Sequence, residues 1–118
     1  MKKSELENRL VKFSVSIIGM TKEMDGCFES QHLGKQIIRS GTACALLYGE
    51  AQGAISRKDF IHKISLVLRE LRETQMNLMI IQDSKLLADQ ELMIKIKDEN
   101  SQLVRIFMRT LMTAKENQ

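Results

Sequence analysis

The chain has 118 residues and a mass of 13.5 kDa, which is the size of a single domain and too small for a two-domain enzyme. Apolar residues make up 43% of it and charged residues 28%, so a disordered or fibrous protein is excluded, and a net charge of +3 with a pI near 9.0 is only a mild basic bias. Proline and tryptophan are absent, and the composition favours residues that lose little side-chain freedom in helices, which predicts an all-α protein.

The first predicted helix begins at a capping box formed by Ser4 and Glu7 and ends at a turn at residues 25–26. Apolar residues at alternating spacings of four and three place a main stripe on one face: Leu6, Leu10, Phe13, Ile17, Met20 and Met24. A second apolar row lies beside this stripe: Val11, Val15 and Ile18. The combined face is wider than one seam of a bundle needs, so we expect a partner to cover part of it.

The second predicted helix spans about residues 30–54. Its core face has helical spacing and consists of Leu33, Ile37, Cys44, Leu47 and Ala51. Small residues also recur every four positions, at Gly41, Ala45, Gly49 and Gly53. Such a row lets a neighbouring backbone come close, and two explanations remain open: close packing of another helix, or space for a ligand or a nucleic-acid backbone.

The third predicted helix starts after a short turn, with Ser56 as its N-cap and Asp59 three residues later. Its core face consists of Phe60, Ile64, Val67, Leu71 and Leu78. Arg69 and Glu73 have the spacing of an exposed ion pair on one helix face. The polar stretch at residues 82–85 interrupts the pattern and separates this helix from the next one.

The fourth predicted helix runs from about Asp89 to Ala114. Its inward face consists of Met93, Ile96, Leu103, Phe107 and Leu111, with Asn100 as a polar residue in the same seam. A second apolar row consists of Val104, Met108 and Met112. As on the first helix, this row is surplus to a single bundle seam.

Four long helices joined by short connections predict an antiparallel up-down-up-down four-helix bundle that forms one domain over residues 1–118. A single long coiled coil is disfavoured because the breaks near Gly26, Gly53 and residues 82–85 interrupt the heptads. The second apolar rows on the first and fourth helices have no partner inside such a bundle. We therefore expect a homo-oligomer.

Residue patterns that support catalysis or metal binding are missing from the sequence. Neither His32 nor His62 is part of a His-Glu-x-x-His motif, and neither a phosphate-binding loop nor a nucleophile motif is present. Glu50 lies alone in an apolar stretch, where we expect it to be partly buried and paired with Arg39 or Arg57; a catalytic carboxylate is the minority interpretation. The sequence predicts a non-enzyme without a metal or cofactor.

Cellular location is indicated by the cysteines and the apolar runs. Cys27 and Cys44 follow no zinc or disulfide pattern, which suits reduced thiols in a cytoplasm. The longest apolar run, residues 43–48, is far shorter than a membrane span, and charged residues interrupt the segment after the first lysines, so no signal peptide is predicted. We expect a cytoplasmic protein without a membrane partner.

Basic residues form modest clusters that suit a phosphate backbone. The candidate nucleic-acid-binding residues are Lys35, Arg39, Arg57, Lys58, Arg105 and Arg109. A merely solvated face is the usual meaning of such spacing. Repetition around a ring of subunits would nevertheless turn a weak patch into a strong positive surface. Tyr48, the single tyrosine, is expected in the core and not as a base-stacking platform.

Four motifs carry a resemblance to a known family: Gln36-Ile37-Ile38-Arg39-Ser40-Gly41-Thr42, Tyr48-Gly49-Glu50-Ala51, Ser56-Arg57-Lys58-Asp59-Phe60 and Leu68-Arg69-Glu70-Leu71. In this respect the chain resembles the 23S rRNA intervening sequence proteins, which are small bacterial four-helix bundles. It is also similar to the accessory variability protein of diversity-generating retroelements, whose partner is a reverse transcriptase with its RNA. The resemblance implies a ring-shaped homopentamer with a basic surface for RNA or DNA. The stretch 43–47 departs from the family pattern.

Taken together, the residues and the resemblance predict a non-enzymatic, oligomeric bundle that binds RNA or other nucleic acid through phosphate contacts, without base specificity. The alternative is a protein-interaction or assembly module, in which the wide apolar rows dock a partner protein and the charge serves solubility alone.

Overall fold

The computed structural model describes residues 1–117 and contains four α-helices in that range, with no strand. Their bounds are α1 Lys3–Glu23, α2 Phe28–Gln52, α3 Arg57–Asp83 and α4 Gln90–Glu116. The predicted all-α fold is confirmed, and each predicted helix exists within a few residues of its expected position.

The helices form an elongated bundle of 47 × 22 × 21 Å in which each helix contacts two neighbours, in the cyclic order α1, α2, α3, α4. As the residue number rises along one helix, the number of the contacting residue on the next helix falls. The pairs are Ser14 with Gly41 and Thr21 with Gly34 between α1 and α2, Ser40 with Thr74 and Glu50 with Lys63 between α2 and α3, and Arg72 with Met108 and Gln82 with Lys97 between α3 and α4. The bundle is therefore antiparallel throughout.

One continuous hydrophobic core fills the bundle, and the apolar stripes predicted from the spacing supply most of it. Tyr48 of α2 and Phe107 of α4 meet in this core edge to face, with ring centroids 5.5 Å apart and planes at 78°. Burial raises the pKa of the Tyr48 hydroxyl. Tyr48 is thus a core residue, as expected, and it has an aromatic neighbour that no local spacing indicated.

The two helix caps that the sequence predicted, at Ser56 and at Ser4, have different outcomes. Ser56 accepts a hydrogen bond from the Asp59 amide at 3.0 Å, which confirms that N-cap, and Asp89 caps α4 in the same way. The predicted capping box of Ser4 is wrong: α1 already begins at Lys3. Its start lies earlier because the carboxylate of Glu5 accepts from the amide of Lys2 and satisfies that end of the helix.

The row of small residues in α2 does not act as one packing seam, which corrects the expectation from its spacing. A Cβ atom on Gly41 would lie 3.0 Å from the Ile17 side chain, so α1 approaches closely there. Gly49 faces open space, and Gly53 is the C-cap of the helix. Among the three glycines of the row, close packing therefore explains Gly41 alone.

Polar residues interrupt the core where α2, α3 and α4 meet. Thr74 donates to the hydroxyl of Ser40 at 2.9 Å, and Asn100 donates to the carbonyl of Leu71 at 3.2 Å. Asn100 is fully buried, as its position in the seam predicted, and its Oδ1 has no partner among residues 1–117. The predicted pairing of Glu73 with Arg69 is wrong, because Glu73 instead contacts Arg39 of α2.

The second apolar rows are largely uncovered in the single chain. Val11 and Val15 of α1 are 53% and 62% exposed, and Met112 of α4 is 60% exposed. Val104 is the exception, because it joins the core. The rows therefore leave apolar surface on the outside of the bundle, as the width of the predicted faces implied.

The different surroundings of Gly41 and Gly49 generate a first prediction. Gly41→Ala should lower the free energy of unfolding by about 1 kcal/mol, because the new methyl group meets the buried, β-branched Ile17. Gly49→Ala should raise it by about 0.5 to 1 kcal/mol through helix propensity, since nothing lies within 4 Å. Urea unfolding of both variants at one protein concentration checks this. Equal effects would contradict the close approach at Gly41.

A second prediction concerns the two thiols. Cys44 is fully buried, and this burial, with a smaller contribution from Glu70, raises the pKa of its thiol to about 12. Cys27 is partly exposed at the start of α2. An alkylating reagent near neutral pH should modify Cys27 in the folded protein and Cys44 only in denaturant, as followed by peptide mass spectrometry. Fast modification of Cys44 without denaturant would show that the α2 core face is wrongly placed.

Candidate nucleic-acid interface

A groove lies at the end of the bundle where α1 and α3 begin and α4 ends. Its volume is about 940 Å³. Met1 and Leu6 line it from the start of the chain, Arg57 and Phe60 from the start of α3, and the last turns of α4 form its remaining wall. Segments about fifty residues apart in sequence meet here, because the antiparallel order brings the first residues of α1 and α3 and the last residues of α4 to the same end of the bundle.

Three arginines surround this groove, and we call it the arginine groove. Arg57 projects from the first turn of α3, and Arg105 and Arg109 project from α4 one turn apart. All three are exposed, and none has an ion-pair partner among residues 1–117. None of the residues lining the groove is acidic. The arrangement is an uncompensated positive site that suits phosphate oxygens.

The floor of the arginine groove is apolar, whereas its sides are polar. Leu6, Phe60 and Ile106 supply apolar surface, and Thr110 and Thr113 add hydroxyl groups. Gln102 also lines the groove, but its side chain is held by Arg9 and Asp98. A smaller cavity of about 430 Å³ adjoins the groove and shares Arg57 and Phe60 with it. Lys3 lines this second cavity and adds a fourth positive charge at the same end of the bundle.

The structure separates the six basic residues that the sequence singled out. It brings Arg57, Arg105 and Arg109 together, with Lys58 next to Arg57 at the start of α3. Lys35 and Arg39 lie on α2, outside the groove, and Arg39 contacts the carboxylates of both Glu70 and Glu73. The charge of Arg39 is therefore compensated within the chain, unlike the charges of the groove arginines.

Spacing within one helix could not have revealed several members of the groove. Lys3, Phe60 and Gln102 line it or its smaller neighbour, yet each belongs to a different helix. Phe60 fitted the predicted core stripe of α3 and is in fact half-buried at the groove floor. The signals in the sequence were the basic pair Arg57 and Lys58 and the acid-free stretch at residues 100–115, which contains Arg105 and Arg109.

Glu50 corrects an expectation. Its carboxylate accepts a hydrogen bond from the ammonium group of Lys63 at 2.7 Å, not from Arg39 or Arg57, and the side chain is exposed. This contact raises the pKa of Lys63. The reason is the register of α2 against α3, which brings Lys63 rather than an arginine to the level of Glu50.

The other polar contacts of the chain are structural in kind. Arg9 of α1 donates two hydrogen bonds to Glu99 of α4, at 2.7 and 2.8 Å, and this contact raises the pKa of the guanidinium. His32 contacts Gln36, and His62 is exposed. Among residues 1–117 there is no group of three or more side chains that could hold a metal ion.

Comparison with known proteins gives a consistent result. The family described as 23S rRNA-intervening sequence protein matches residues 2–109. A solved structure from Bacteroides thetaiotaomicron, a protein of unknown function from the S23 ribosomal protein family, is 26% identical with a TM-score of 0.82, and the match covers 94% of this chain and 98% of that one. No curated protein matches the chain. Over residues 1–117, no helix is both long and apolar enough to cross a membrane.

The exposure of the Glu50 contact generates a third prediction. Glu50→Gln should leave the urea midpoint of unfolding within error of the wild type, because an exposed ion pair in water contributes little. Glu99→Gln is the positive control and should lower that midpoint, since it removes the charge from the less exposed contact between α1 and α4. A marked loss of stability in Glu50→Gln alone would point to a role for Glu50 beyond its contact with Lys63.

Proposed function

This chain belongs to the family of 23S rRNA-intervening sequence proteins, and we propose that it is a non-enzymatic, oligomeric bundle of the bacterial cytoplasm that binds RNA through the arginine groove. The observation that carries this proposal is the meeting of Arg57, Arg105 and Arg109 around one groove that has no acidic lining residue. A phosphate backbone is the polyanion that such a site suits, and its binding requires no catalytic group. Two free cysteines are in keeping with a cytoplasmic location.

The groove arginines are the strongest candidates among the six basic residues. Each guanidinium can donate several hydrogen bonds to phosphate oxygens, and no carboxylate of residues 1–117 competes for it. Lys58 extends the same positive surface along α3. Lys35 and Arg39 make a weaker contribution in this proposal, since they lie apart from the groove and Arg39 is compensated by two glutamates.

This proposal is tested by removing two groove charges. Arg105→Gln with Arg109→Gln should weaken binding to a labelled rRNA-like hairpin by about tenfold or more, and should reduce the log-log salt slope by about one to two units. The matched control is Lys22→Gln with Lys95→Gln, which removes two exposed charges near the opposite end of the bundle. Fluorescence anisotropy over a salt series measures both.

The controls define what would contradict the proposal. The control pair should keep nearly the wild-type affinity and slope, because its charges lie far from the groove. Equal losses in the two double variants would assign binding to net charge and not to the groove. No binding of the wild type even at low salt would overturn RNA binding and favour the alternative, a module that docks a partner protein through its exposed apolar faces.

We also propose that two opposite faces of the bundle associate head to tail between copies. Exposed apolar residues flank the line where α1 meets α2, next to Ser14 and Gly41, which contact each other there. We call this the α1/α2 face; its exposed members are Val11, Val15 and Ile18 of α1, and the half-buried Ile38 and Ala45 of α2 complete it. Exposed methionines likewise flank the contact of Arg72 with Met108 on the other side of the bundle. We call this the α3/α4 face; its members are Met76, Met79, Met108 and Met112.

Two different faces on opposite sides of one molecule suit a heterologous contact, which closes into a ring when the rotation between copies permits. The flexible methionines of one face can adapt to the branched side chains of the other. We propose a closed ring of five subunits, the number that the family resemblance implies. A ring would present the arginine groove once per subunit and so multiply weak phosphate contacts.

Light scattering with refractive-index detection tests this assembly. The wild type should have a mass of five times 13.5 kDa. Val15→Glu and Met112→Glu should each be monomeric, because each buries a charge in one of the two faces. An equimolar mixture of the two variants should give a dimer of twice 13.5 kDa, since each supplies the face that the other lacks.

The outcome of the mixture distinguishes the kinds of contact. Self-association of one variant alone would indicate a two-fold contact of like faces, and a monomeric wild type would contradict the assembly altogether. The matched control is Ile55→Glu, which places the same charge at a residue that is 94% exposed in the turn between α2 and α3, outside both faces. This control should keep the mass of the wild type.

A further inference from the structure

We propose that the arginine groove takes unpaired nucleotides, with a base seated on the apolar floor beside Phe60 and the adjoining phosphates held by the arginines. This inference rests on the proposed function and names the form of RNA that the same site takes. A site for phosphates alone needs charge at a protein surface, as in the binding of duplex backbones. The arginine groove has in addition an apolar floor, which phosphates cannot use.

The floor has the chemistry that a base requires. The half-buried side chain of Phe60 lines the groove together with Leu6 and Ile106. Bases stack on aromatic rings without regard to sequence, because every base has a flat π face. A volume of about 940 Å³ lies in the range of sites that enclose small organic molecules, and a nucleotide is a ligand of that size.

The rim has the charge that the flanking phosphates require. Arg105 and Arg109 are four residues apart on α4, so their Cα atoms are separated by about 6 Å along the helix axis. That separation suits successive phosphates of an extended strand. Arg57 faces them from α3 across the groove. Thr110 also lines the groove; its hydroxyl donates to the Ile106 carbonyl and keeps the capacity to accept a hydrogen bond from a ribose hydroxyl.

The path of the strand is indicated by the second cavity. It shares Arg57 and Phe60 with the arginine groove and continues along the end of the bundle toward Lys3 and Gln52. A strand leaving the groove would therefore pass over Phe60 and meet another positive charge. A duplex cannot follow this path with its bases on the floor, because they are paired and stacked inside the helix.

Three RNA probes of the same length separate base contacts from phosphate contacts. The first is an unstructured single strand, the second is this strand with abasic ribose at its central positions, and the third is the fully paired duplex. The intact strand should bind the wild-type protein about tenfold more tightly than the abasic strand, with the same salt slope, because the two differ only in bases. The duplex should also bind more weakly than the intact strand, although its charge density is higher.

A matched pair of variants localises the effect to the groove floor. Phe60→Leu removes the ring while keeping an apolar side chain, and should lower the affinity for the intact strand about fivefold while leaving the affinity for the abasic strand unchanged. The control is Phe28→Leu, the same substitution at a residue that is 77% exposed at the opposite end of the bundle. It should bind all three probes as the wild type does. Unfolding midpoints of both variants verify that they fold.

The outcomes keep this inference distinct from the proposed function. Equal affinity of the wild type for the intact and abasic strands would overturn the base-seating inference while leaving phosphate binding in place. Tighter binding of the duplex than of the intact strand would overturn it as well. Absence of binding to all three probes at low salt would overturn the proposed function itself. The probe comparison uses the wild-type protein, so it decides the matter even if Phe60→Leu fails to fold.

Discussion

Burial of Phe107 against Tyr48 determines how α4 is rotated about its own axis, and the positive surface of the protein depends on that rotation. Residues two positions from a buried helical residue lie about 200° around the helix from it. Because Phe107 is fully buried, Arg105 and Arg109 on either side of it are directed outward, near the start of α3. An aromatic contact in the core thus places the charges at the surface.

Ion pairs within the chain divide the charged residues into two classes. Arg9, Arg39 and Lys63 each contact glutamates of a neighbouring helix and so help to hold the helices in register. The arginines of the groove have no such partner among residues 1–117. The net charge of +3 is a sum over the whole chain, and a ligand at the groove would instead meet three unpaired arginines with no acidic residue among those that line it.

The outer surface of the bundle has a second organisation, which is apolar. Each helix buries one stripe in the core, and α1 and α4 carry more apolar residues than that stripe can use. The surplus lies on two separate sides of the molecule, away from the floor of the arginine groove. Assembly through those sides and nucleic-acid binding at the end of the bundle would therefore not compete for the same residues.

The sequence by itself determined the number of helices, most of their core stripes and the cap at Ser56, because these depend on spacing and on groups a few residues apart. It also indicated Asn100 as the polar residue of the α4 seam. The tertiary structure alone decided which basic residues meet, which carboxylate Arg39 contacts and which lysine Glu50 contacts. These depend on the register between helices, which is set by packing such as that of Gly41 on Ile17 and has no signature within one helix.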